Sequence, residues 1–115
     1  MHKKLRSAYT STHDLYPAMT LEHFEASLSE ADPPAALSAP LRALWLVRAG
    51  RWEEAHVLVQ DEPSPAAAWV HAYLHREEGD LSNAAYWYRR AGRPASRGHV
   101  QAEWRDIAHA LLAEP

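Results

Sequence analysis

Twice in this chain a helical pattern ends on a glycine and a second one starts at once, and that repeated break sets what the chain can fold into. The first case is residues 41–59, LRALWLVRAGRWEEAHVLV, broken at Gly50. The second is residues 67–92, which contain WVHAYLHREEGDLSNAAYWYRRAG and are broken at Gly79-Asp80. With Gly50 aligned on Gly79, Trp52 falls on Leu81, Ala55 on Ala84 and Val59 on Tyr88. Each unit is a pair of amphipathic helices too small to bury its apolar face alone, so the pairs must stack on one another. The expected class is all-α.

The punctuation between these patterns is consistent with that class. Thr20 can cap a helix carrying Leu21, Phe24, Leu28 and Ala31 on one face, and Asp32-Pro33-Pro34 ends it, because proline lacks the donor and restricts its predecessor. Ser38 with Pro40, and Ser64 with Pro65, pair a capping hydroxyl with an early proline at the start of the next two long helices. Asp61-Glu62-Pro63 stops the helix that begins at Trp52, and Gly92 followed by Pro94 stops the one that begins at Leu81. A final stripe of Val100, Trp104, Ile107, Ala108 and Leu111 predicts a helix over 99–113 that covers the last open apolar face. Residues 1–18 show neither stripe nor cap and are expected to be a flexible N-terminal segment ahead of a single helical domain, 19–115.

Composition removes several functions. The chain of 115 residues has a net charge of −3, which gives no electrostatic footprint for nucleic acid. Arg89, Arg90, Arg93 and Arg97 cluster, but they sit where a helix C-terminus favours cations. With no cysteine there is no disulfide, thiolate metal site or cysteine nucleophile. No apolar run reaches the ~18 residues of a membrane span, and no signal-peptide core is visible, so a cytoplasmic location is expected.

The order of residues in the repeated units resembles the tetratricopeptide repeat. Ala72 holds its small mid-helix position, Gly79-Asp80-Leu81 its turn, Ala84 its close-packing position, and Tyr88 and Ala91 the rest; in the first unit Ala43, Gly50, Trp52, Ala55 and Val59 take those parts. The resemblance covers about residues 37–92, and the step from Gly50 to Gly79 is shorter than the family's roughly 34 residues. It implies two hairpins stacked right-handedly, between an N-terminal helix and a C-terminal capping helix. It also implies a non-catalytic adaptor or binding module for a protein or peptide partner, a second copy of the chain included. The block WVHAYLHREEGDLSNAAYWYRRAG is also similar to one in small bacterial proteins to which no activity is assigned, and that likeness implies none here.

One group of residues points to chemistry. His71 and His75 lie four apart and so share a helix face, at register positions where the repeat carries apolar packing residues. His56 follows the close-packing Ala55 on the preceding helix, which turns it toward the other two. Three imidazoles at one point suit zinc or another divalent metal, although His71 is followed by Ala72 rather than by the glutamate of a metalloprotease helix. The alternatives are a small-ligand or peptide-binding pocket lined by these His with Trp69, Tyr73 and Trp87, a hydrolytic or acid–base enzyme working through the same His, and a sealed polar core in which Tyr86, Tyr88, a carbonyl or a carboxylate satisfies the imidazoles. Glu53, Gln60, Glu78, Asp80 and Asn83 are candidates for the surrounding shell. Consecutive helical residues point about 100° apart, so Tyr86, Trp87 and Tyr88 cannot all face inward; Tyr88 is the packing member, and Tyr86 or Trp87 is a candidate anchor for a partner. No cofactor is called for unless the histidines hold a metal.

Overall fold

The structure, a computed structural model, describes residues 19–114; the segment 1–18, expected to be a flexible arm, lies outside the described residues. Among the described residues there are six α-helices and no strand: α1 (Leu21–Ala26), α2 (Ala39–Arg48), α3 (Trp52–Val59), α4 (Pro65–Glu77), α5 (Leu81–Ala91) and α6 (Val100–Leu112). None of them is long and apolar enough to cross a membrane.

The helix ends form as the capping residues require. Thr20, Ser38 and Ser64 each accept a hydrogen bond from the backbone three residues on, with the prolines in the first turns of α2 and α4. At Gly50 and Gly79 the backbone enters the left-handed region, with φ of 84° and 91°. In both turns the residue after the glycine donates five residues back, Arg51 to the Leu46 carbonyl at 2.9 Å and Asp80 to the His75 carbonyl at 2.8 Å. This paired closure satisfies carbonyls that the helix end leaves free, and a β-carbon at either glycine would strain it. Identical caps thus close α2 and α4.

Helix α1 is shorter than its sequence stripe. After Ala26 the chain tightens into a 3₁₀ turn, Ser27–Ser29, and Ala31 is exposed. The reason is local: the Ser27 hydroxyl donates to the Phe24 carbonyl at 2.6 Å and accepts from the Trp45 indole at 2.9 Å, which ties the turn down onto α2.

Helix α4 is the centre of the molecule, packed against α2, α3, α5 and α6. One continuous core joins Phe24 of α1, Leu44, Trp45 and Val47 of α2, Val59 of α3, Val70 and Leu74 of α4, and Trp104, Ile107 and Leu111 of α6. The buried Trp104 indole donates to the Leu44 carbonyl at 2.8 Å, its ring stacks on Phe24 at 5.5 Å, and the Arg48 guanidinium covers it at 4.7 Å. The next residue back, Glu103, is only 5% exposed and carries a charge into the interior. It is met there by Arg76 at 2.7 Å and by the Tyr88 hydroxyl, while Arg76 also donates to the Gly98 carbonyl. A buried carboxylate needs that much company. Burial, and then the bond to Glu103, push the Tyr88 hydroxyl above the usual tyrosine range, so it remains a donor.

Trp104 therefore fastens α6 to α1 and α2 at once. Replacing it, Trp104→Ala, is expected to cost about 3–5 kcal/mol in a denaturant titration, through the cavity it leaves. A cost under about 1 kcal/mol would show that α6 lies on the surface of the fold rather than within its core.

Candidate functional site

The three histidines come together. His56 on α3 and His71 and His75 on α4 each offer a ring nitrogen, and these atoms all lie within 4.8 Å of one another. The Nε2 atoms of His56 and His71 are 3.0 Å apart. His71 is 3% exposed and His75 6%, whereas His56 is half-buried and forms the outer edge. The helical spacing puts His71 and His75 on one face, and Ala55, fully buried where α3 meets its neighbours, brings His56 up to it.

Two tryptophans hold the rings. Trp52 stacks on His56 with centroids 4.9 Å apart and planes 11° apart, and its indole donates to the Leu74 carbonyl at 2.9 Å. Trp87 stacks on His71 at 3.9 Å and 22°. Each indole fixes the plane of one imidazole and keeps water off its face. His75 Nδ1 donates to Glu78 at 2.8 Å, which selects Nε2 as the nitrogen of that ring open to a ligand. His71 Nδ1, also buried, has no partner among the described residues.

The electrostatics disfavour a charge on His71 and on His56. Burial, then the neighbouring His56 and His75, lower the pKa of His71 to about 4. Burial and then His75 also lower that of His56, with Glu53 and Glu78 acting in the opposite direction. Three imidazole nitrogens gathered within 4.8 Å of one another are metal-ligand chemistry; they can equally grip a small donor molecule.

The other candidates are distributed differently. Tyr73 is buried at 3% on the core side of α4. Trp69 lies under the Arg93 guanidinium, 3.8 Å from its ring. Neither touches the imidazole rings the way Trp52 and Trp87 do. Gln60 is exposed and caps the end of α3, with its backbone N–H on the His56 carbonyl. Tyr88 spends its hydroxyl on Glu103, and the exposed Tyr86 accepts from Arg90 at 3.0 Å; neither satisfies an imidazole. Sequence reasoning missed Trp52, which it had placed only as a packing residue. Its signal was the spacing to His56, four residues on, which puts the two rings on one face.

In metal-free protein the depressed His71 pKa makes stability depend on pH. Between the folded value of about 4 and the ordinary value of about 6.5 the unfolded chain binds the proton more readily. The contribution is therefore complete above about pH 6.5 and is lost as pH falls toward about 4. Denaturant titrations from pH 7 down to 4.5 should show wild type losing stability more steeply than His71→Gln, by at most ~1.4 kcal/mol per pH unit for one proton. Parallel profiles would place His71 in water. Compared with known family models, curated proteins and solved structures, the chain has no match, and the site's chemistry rests on its own geometry.

Proposed function

We propose that this chain is a small binding protein whose ligand seat is the His56–His71–His75 cluster, on a scaffold of two tetratricopeptide-like hairpins, α2/α3 and α4/α5. The observation that carries the reading is the convergence of three imidazoles, from two different helices, on one spot walled by Trp52 and Trp87. The scaffold reading is supported by the matching closures at Gly50 and Gly79 and by Ala55 and Ala84, both buried at equivalent positions. The aromatic residues that an open peptide groove would need are engaged inside the molecule: Trp87 on His71, Trp69 under Arg93, and Tyr73 in the core. That favours a compact ligand at the cluster over a peptide laid along it.

Both tryptophans touch the seat, so their fluorescence reports occupancy. A panel of small carboxylates, phosphates, amines, imidazoles and divalent ions should yield at least one that shifts the emission of wild type and not that of His56→Gln. A panel without such a compound, or hits that persist in the variant, would remove the cluster as the seat.

A second reading, a protein or peptide partner, is supported by a different place. A groove of about 430 Å³ beside α2 and α3 has Leu46, Val57 and Leu58 in its walls and Arg42 and Arg51 among its charged residues. Val57, 61% exposed, is the apolar side chain such a partner would cover. If the partner is a second copy, sedimentation should show a concentration-dependent dimer that Val57→Asp abolishes. A dimer unchanged by the substitution would move the interface elsewhere.

A further inference from the structure

Resting on the reading of the cluster as a ligand seat, we propose that its ligand is a single divalent first-row transition ion, zinc foremost. The ion would be held by one nitrogen each of His56, His71 and His75, with Glu78 orienting His75.

The distances are those of a site that needs little adjustment. A tetrahedral ion with metal–nitrogen bonds of about 2.0–2.1 Å sets its ligand nitrogens about 3.3 Å apart. The closest pair here is at 3.0 Å and the whole set lies within 4.8 Å, so rotations of the rings about their side-chain bonds bring them to a common centre. All three ligands come from helices, and two of the rings are pinned by stacked indoles, which limits the ordering that binding must impose.

Hydrogen bonding alone does not complete the cluster. A sealed polar core ordinarily pairs its buried nitrogens, but His71 Nδ1 is left over, which argues against a finished polar core whether or not an ion sits on Nε2. The contact between the His56 and His71 Nε2 atoms requires one of the two neutral rings to donate there. An ion would move that proton to the Nδ1 of the same ring and gain two nitrogen lone pairs in its place, with a third from the Nε2 of His75, whose Nδ1 is bonded to Glu78. The carboxylate–histidine pair is the arrangement that fixes the tautomer of a ligating imidazole and raises its basicity. Glu78, with its side chain 38% exposed, also places a negative charge near the bound cation.

The donor set decides the class of ion. Three imidazoles, with no thiolate possible in a chain without cysteine, select the zinc, copper, nickel and cobalt group over calcium and magnesium, which take oxygen. Among the described residues the group holds three ligating side chains, so a tetrahedral ion would keep one position for water or an external donor. That position would open past His56, the only one of the three rings that reaches the surface.

The test uses the full chain, freed of metal by chelator, and zinc alone as the probe. Titration calorimetry should give one ion per chain with submicromolar affinity, and excess zinc should raise the melting temperature by several degrees. Cobalt in its place should give the visible bands of a tetrahedral ion. His56→Gln, at the half-exposed edge where the fold tolerates it, should weaken zinc at least 100-fold. Glu78→Gln should weaken it 10- to 100-fold, as loss of an orienting partner does. No binding by wild type overturns the proposal, as does binding unchanged in both variants, which would assign the ion to the other histidines of the chain. If zinc fails while an organic member of the fluorescence panel still binds in a His56-dependent way, only the metal falls and the seat stands. If both fail, the seat falls too.

Discussion

The burial of α4 on almost every side is the constraint from which the rest follows. From Ala67 to His75 every residue of the helix except Trp69 is buried. Such a helix satisfies its backbone internally, so its cost falls on whatever polar side chains it carries. Two of those are histidines and the next is Arg76, and each has drawn a specific neighbourhood around it. The histidines are met by a third imidazole, two indoles and Glu78; Arg76 is met by Glu103 and the Gly98 carbonyl. The other helices are placed where they cover α4, and their polar residues are placed where they answer it.

The elements were legible in the sequence because their ends are written in short-range chemistry. Serine before proline, glycine after the last apolar position, and a proline beyond the stop each act within one turn, and five of the six helices start or stop within a residue or two of where those signals lie. The overreach in α1 has a cause of the same range, for the Ser27 hydroxyl competes for the Phe24 carbonyl and its second bond runs to Trp45, eighteen residues on, which no local pattern announces. The meeting of His56 with His71 and His75 was also legible, since it needs only helical spacing and two hairpins side by side. Gln60, one turn past His56, is the C-terminal cap of α3 and is exposed. The bonds that join Glu103 to Arg76 and Tyr88 link positions 27 and 15 residues apart on three helices, and only packing reveals them.

Aromatic residues do two separate jobs in this fold. Trp45 and Trp104 are fully buried anchors that each hand an indole proton to an acceptor, Ser27 or the Leu44 carbonyl. Trp52 and Trp87 are half-buried and lie flat on imidazoles, where a ring supplies a wall more than bulk. Composition alone counts all of them together. What separates them is whether the neighbour four residues away, or on the facing helix, is apolar or a histidine.

Helix α6 changes what kind of object the molecule is. Repeat units that touch only their neighbours can open one at a time, and their ends fray independently. Here two adjacent residues of one helix reach both hairpins: Trp104 bonds to α2, and Glu103 bonds to α4 and α5. Neither hairpin can part from the other without α6 giving up its bonds to one of them. Opening at one hairpin is thereby coupled through α6 to the other, so amide protons deep in α2 and in α4 should exchange through the same global opening.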